Sequence, residues 1–285
     1  MQANGCRKSG RGRASWRVGF AVLWAALALA LAESGASAAP TETVLHSFTG
    51  GVGDGILPFA GLIADRAGNL YGTTYEGGGS GCNGPGCGVV FKLSPGGIET
   101  VLHSFAGGDG ALPEAGLIAD ASGNLHGTAS GGGGPDRGVV FKLAPNGTET
   151  VLYSFCSLPS CSDGAGPSAG LIADSSGNLY GTTYGGGSEC IYGPGCGVVF
   201  KLSPGGTETV LHSFAGGDGA LPEAGLIADA SGNLYGTTKW VAARLDAPRP
   251  DAAWCSSSCR TGPRRCYTPS VVCLAVATGV IPQPA

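Results

Sequence analysis

Eleven cysteines, four histidines and twenty acidic residues hold whatever chemistry this 285-residue chain can perform. Cys82 and Cys87 lie together in one glycine-rich stretch, and Cys190 and Cys196 lie in a second stretch of the same kind. Cys156 and Cys161 sit in a longer version of a different loop, whereas the stretch around residues 130–135 is about five residues shorter than its counterparts and has no cysteine. Cysteines that appear and vanish together read as partners, so local disulfides are expected for Cys82 with Cys87, Cys156 with Cys161, and Cys190 with Cys196. A metal site from Cys156, Cys161, Cys190 and Cys196 is the competing reading, but its spacings are looser than the Cys-x2-Cys of structural zinc.

His46, His103 and His212 each precede a serine, which invites a nucleophile–base reading. They share one recurring position with Tyr153, so a half-buried aromatic accounts for all four; a hydrolase triad needs a nucleophile, base and acid that break the pattern. The acids recur as well. Asp65, Asp120, Asp174 and Asp229 open hairpin turns, where a carboxylate can accept backbone N–H groups. Asp54, Asp109, Asp163 and Asp218 each precede a glycine, one acid per loop, which is a thin ligand set for calcium. Only Glu76, Asp136 and Glu189 fall off the pattern, too few to mark a glycosidase pair. The glycine runs from Gly77, Gly131 and Gly185 lack the Lys-Ser/Thr of a phosphate loop. No catalytic, cofactor-binding or metal-ligating residue is expected.

The elements that would position these residues are repeats. Gly-Leu-Ile-Ala-Asp begins at Gly61, Gly116, Gly170 and Gly225, at spacings of 55, 54 and 55. Gly-Val-Val-Phe-Lys-Leu begins at Gly88, Gly138 and Gly197, and residues 86–125 and 195–234 differ only in Ile98 against Thr207. Each unit holds four strand signals, in the first unit 62–65, 69–75, 89–93 and 99–105. Arg66-Ala-Gly68 and Ser94-Pro-Gly-Gly97 form tight turns within each pair. Simple alternation puts Val101, His103 and Phe105 on one face of the fourth strand. The expected fold is all-β: tandem repeats of about 55 residues, each four antiparallel strands, as β-propeller-like blades, three complete plus partial ones, incomplete or open. A β-helix or solenoid is the alternative, although it has no need of two tight hairpins per unit.

Composition agrees. Glycine supplies 54 residues and proline 18, while charged residues reach only 13%. So much glycine excludes a helix bundle, since each glycine costs a helix roughly 0.8–1 kcal/mol. Without a Gly-X-Y period, collagen is excluded too. Residues 41–238 hold 5 basic and 17 acidic side chains, a net charge of −12 that would repel a nucleic acid.

At the N-terminus five basic residues precede an apolar run over 18–32 and a small-x-small site at Ala36-Ser-Ala38. These are the parts of a secretory signal peptide, expected over 1–38. A retained signal anchor is the alternative, but the run is shorter than the ~20 residues a spanning helix wants. The mature chain is then expected without a membrane span and located in the periplasm, at the cell surface or outside the cell.

The blocks Gly-Val-Val-Phe-Lys-Leu-Ser-Pro-Gly-Gly-x-Glu-Thr-Val-Leu-His-Ser-Phe and Gly-Leu-Ile-Ala-Asp-x-x-Gly-Asn-Leu-Tyr-Gly-Thr-Thr closely resemble the bacterial GloVer tandem repeat, carried by "choice-of-anchor" proteins. The resemblance covers 41–238. It implies an exported, surface-associated β-repeat protein and brings no activity, ligand or catalytic residue. No anchor is recognisable at this C-terminus, a departure from the pattern. The expected role is non-catalytic, binding an extracellular glycan or protein or serving a structural purpose at the surface. A propeller enzyme acting on extracellular polysaccharide is the alternative.

Residues 239–285 break the repeat, with 2 glycines, six prolines, six basic residues and Cys255, Cys259, Cys266 and Cys273. So abrupt a change suggests a reading-frame shift or truncated gene and an unpacked tail beside an open array. In the competing view, residues 270–277 supply the missing third strand of the last blade. Residues 42–48 read as a lone fourth strand at the other end.

Overall fold

The computed structural model describes residues 42–51, 53–79, 81–82, 84–188, 190 and 195–240, and the backbone of 274–277. The chain divides into two units, residues 1–44 and 45–285, and the described strands all belong to the second. In chain order they are β1 (Gly55–Ile56), β2 (Ile63–Ala64), β3 (Leu70–Thr74), β4 (Glu76–Gly77), β5 (Val89–Leu93) and β6 (Glu99–Ser104), then β7 (Ile118–Ala119), β8 (Leu125–Ala129), β9 (Val139–Leu143) and β10 (Glu149–Ser154). They continue with β11 (Ile172–Ala173), β12 (Leu179–Thr183), β13 (Val198–Leu202) and β14 (Glu208–Ser213), and end with β15 (Ile227–Ala228), β16 (Asn233–Gly236) and β17 (Leu274–Ala277). Three four-stranded antiparallel sheets result, β2-β3-β5-β6, β7-β8-β9-β10 and β11-β12-β13-β14. The chain is all-β, built of tandem propeller-like blades.

Each blade is buried on both faces, which explains why its third strand reads Val-Val-Phe-Lys-Leu rather than alternating with polar residues. In β5, Val89 and Phe91 are buried on one face and Val90 on the other. Val89, Phe91 and Leu93 pack with Phe48, Leu70 and Val101. Val90 and Phe105 pack with Val139, Phe141 and Leu143 of the next blade. A phenylalanine pair recurs at these contacts: Phe48 meets Phe91 at 4.9 Å, Phe105 meets Phe141 at 5.0 Å and Phe155 meets Phe200 at 5.0 Å. The Leu-Tyr/His-Gly-Thr block follows from the same packing. Gly72 pairs with Phe91 across the sheet, and a Cβ there would lie 2.8 Å from the ring. Gly127 and Gly181 meet Phe141 and Phe200 in the same way. The next residue, Thr73, is buried and donates to the carbonyl of Ala115 at 3.0 Å, and Thr128 donates likewise to Ala169.

The ladder departs from simple alternation in the fourth strand. Val101 pairs with Phe91, but His103 pairs with Val90, so Leu102 is the extra residue of a β-bulge. The bulge turns His103 and Phe105 to the face opposite Val101, correcting the single face expected for all three. Residues 42–48 lie in no strand; a fourth strand needs a third strand beside it, and among the described residues none lies on that side.

At the other end the last blade is completed in part by the tail. Gly236, Tyr235 and Leu234 pair with Leu274, Ala275 and Val276. For these four residues, 274–277, the expected unpacked tail is corrected: a short β-forming run takes the register of Phe91, Lys92 and Leu93. Cys255, Cys259, Cys266 and Cys273, the rest of the tail and the signal segment 1–38 lie outside the described residues.

Candidate functional site

The side chains with chemical potential gather at two places in each repeat, the hairpin turn and the junction between blades. In the turn, Asp65 Oδ1 accepts the N–H groups of Ala67 and Asn69, and Oδ2 accepts Asn69 Nδ2 and the Tyr71 hydroxyl. Gly68, at φ +81°, closes the turn by donating to the Asp65 carbonyl. Asp120, Asp174 and Asp229 repeat this bonding, with His126 replacing tyrosine in the second blade. The Asn69 and Asn233 bonds hold Asp65 and Asp229 down to about 2. At Asp120 burial acts upward, but donors from Asn124, His126 and Ser122 outweigh it and bring the carboxyl to about 2. These aspartates are committed to turn geometry.

At the junctions the serine after each histidine is no partner for it, because Ser104 pairs with Val89 on the opposite face from His103. The histidines meet aspartates instead. His46 Nε2 lies 3.4 Å from Asp54, while His103 and His212 lie 2.9 Å from Asp109 and Asp218. Each imidazole also stands edge-on to the phenylalanine two residues later, as Tyr153 does. Tyr153 donates to Asp163 Oδ2 at 2.8 Å, joined there by the N–H and hydroxyl of Ser157. A glutamate from the start of the following fourth strand faces these groups, with one ligand atom each of His46, Asp54 and Glu99 within 4.8 Å of one another, and likewise His103, Asp109 and Glu149. Burial, then Asp109 and Asp163 respectively, push Glu149 and Glu208 up to about 7. Sequence reasoning missed these glutamates, because each lies about a repeat away from the histidine it faces; their recurrence at a fixed strand position was the available signal.

The six cysteines lie at loop ends. Cys82 with Cys87, Cys156 with Cys161, and Cys190 with Cys196 are at disulfide distance, with Cα separations of 5.3, 3.9 and 5.3 Å. Cys87 and Cys196 are fully buried in the junction cores. Among the off-pattern acids, Asp136 accepts the Gly132 N–H at 2.9 Å, and Glu189 lies outside the described residues. No helix among the described residues is long and apolar enough to cross a membrane.

Repeated four-stranded blades with short turns and variable loops define a propeller-like β-repeat protein. The particular repeat is identifiable: the Gloeobacter/Verrucomicrobia repeat matches residues 35–243, well over half of the chain, and the chain belongs to that family. No curated protein matches it. Among solved structures, a gluconolactonase from Xanthomonas campestris is 17% identical with a TM-score of 0.41, covering 63% of this chain and 55% of that one. A luciferin-regenerating enzyme is 16% identical with a TM-score of 0.37, covering 78% and 64%. The chain therefore spans less than two thirds of the length of either.

Proposed function

We propose that this chain is an exported, non-catalytic β-repeat protein that presents its loops to an extracellular glycan or protein, or forms a structural element at the cell surface. The observation that carries the reading is the contrast between constant blades and variable loops: the Val-Val-Phe-Lys-Leu strand recurs unchanged in all three blades, whereas the loop before it and the loop after the fourth strand differ in length and cysteine content. Binding residues are commonly placed on loops held by a rigid scaffold. The chemistry-bearing residues belong to the scaffold itself, since the turn aspartates and junction histidines recur from blade to blade in structural hydrogen bonds. Cysteine pairs at disulfide distance suit an oxidising compartment. The signal segment expected over 1–38 supplies the route, and the net negative repeat region argues against nucleic acid.

A glycan and cell-wall binding array, run with the full chain with and without calcium and followed by product analysis of every hit, tests the proposal. Retention of an unchanged ligand is expected. Release of shortened glycan would instead establish the polysaccharide-degrading alternative.

A further inference from the structure

The junction glutamates have no role in the proposed function, yet each holds a buried polar atom without a hydrogen-bond partner. Glu99 Oε1 and Glu149 Oε1 are buried without a hydrogen-bond partner. Each faces a histidine and an aspartate from the preceding segment or blade, and the three ligand atoms lie within 4.8 Å of one another. A buried carboxylate oxygen with no donor is unfavourable when charged and calls for a cation.

We propose that His46, Asp54 and Glu99, and likewise His103, Asp109 and Glu149, each bind a divalent transition-metal cation of the zinc or manganese kind. One imidazole nitrogen with two carboxylate oxygens is a donor set such cations take, whereas calcium and magnesium favour oxygen throughout. Zinc–ligand bonds of about 2.0–2.2 Å in a tetrahedron set neighbouring donors roughly 3.4 Å apart. The histidine and aspartate atoms stand 3.4 Å apart in the first group and 2.9 Å in the second. Because the glutamate comes from the following fourth strand, a bound cation ties that blade to the chain before it.

The other junctions set the stoichiometry. Where Tyr153 replaces histidine, its hydroxyl and Ser157 occupy Asp163 Oδ2 as donors, and burial with the Asp163 charge pushes the phenol up to about 12, so it offers a proton rather than a ligand. Glu208 Oε1 is also buried and unpartnered there, a site lacking only its imidazole. His212 and Asp218 form the pair, but among the described residues no following fourth strand supplies the glutamate, and Glu223 is bonded to Lys239 instead.

The test uses the full chain with its free thiols blocked by N-ethylmaleimide, so that the tail cysteines take up no metal. After dialysis against a chelator, Zn2+, Mn2+ and Ca2+ are titrated separately by calorimetry, with bound metal counted by mass spectrometry. The expected result is two equivalents of Zn2+ or Mn2+ per chain. Glu99→Gln and Glu149→Gln should each remove one equivalent while near-ultraviolet circular dichroism stays unchanged. Tyr153→His should add a third. Failure of the unaltered chain to bind either transition metal, binding of Ca2+ alone, or an unchanged stoichiometry in the folded glutamine variants would overturn the proposal.

Discussion

The loop joining the second strand to the third carries a cysteine pair in the first and third blades, and Asp136 in the middle one. Both kinds start and end alike, with Gly88 donating to the Gly77 carbonyl, Gly138 to Gly132 and Gly197 to Gly186 at 3.0–3.2 Å. Between those points the middle loop is closed by Asp136, at φ +56°, whose carboxylate accepts the Gly132 N–H. In the longer loops Cys82 lies at disulfide distance from Cys87, and Cys190 from Cys196, and Cys87 and Cys196 are buried in the junction core. The blades thus impose the loop ends but not the loop. Length can vary by about five residues provided that some local crosslink, covalent or hydrogen-bonded, limits the added freedom.

If the blade core is indifferent to the kind of loop, Phe141→Ala in the middle blade and Phe200→Ala in the third should be equally damaging. Each is expected to cost about 3–5 kcal/mol in chemical denaturation, as for a fully buried phenylalanine. A difference much larger than the fitting error would tie the core to the loop.

The closures themselves should rank below that. Replacing Cys82 and Cys87 together by serine should cost about 2 kcal/mol by loop entropy, and Asp136→Ala about 1 kcal/mol for its hydrogen bond. Equal losses would remove the distinction between the two kinds of loop.

Acid and base should act on different parts. Asp65, Asp120 and Asp229 titrate near 2 instead of the ordinary 3.8, so their stabilisation is present above about pH 4 and is lost as pH falls through about 2. Glu208 runs the other way. With its carboxyl raised from 4.5 to about 7, the stability it contributes is complete below about pH 4.5 and declines as pH rises through about 7. Thermal melts should show both slopes, and Glu208→Gln should lessen the second alone, with Glu149, also raised to about 7, supplying the remainder.

The smallest effect is expected at the residue before the recurring proline of each inter-blade loop. Leu57, Leu112 and Leu221 all have φ near +55°, where the third blade places Gly166. Leu57 is exposed, so Leu57→Gly should relieve backbone strain and change stability by less than about 1 kcal/mol, on the stabilising side.

Much of this architecture was legible in the residues. The five residues of β5, β9 and β13 coincide with their sequence blocks, because a strand buried on both faces has an unbroken apolar signature. The bulge at Leu102 was not legible, since no glycine or proline marks it and only the ladder shows that His103 faces Val90. Residues 42–48 carry a strand's pattern but lack a partner, and propensity without pairing makes no strand. The pairing of Leu274–Ala277 depends on a free sheet edge beside β16, which proline and charge in the intervening chain obscured. In the candidate site, the recurring histidine–aspartate pairs were visible as positions, while the facing glutamates were hidden by the distance along the chain between neighbouring blades.

The central proposal is that constant blades carry locally stapled loops in an exported chain. Non-reducing peptide mapping of the secreted protein addresses this directly. It should find Cys82 linked to Cys87, Cys156 to Cys161 and Cys190 to Cys196, each within a single loop peptide. Crosslinks between blades, or free thiols at these six positions in secreted material, would contradict it.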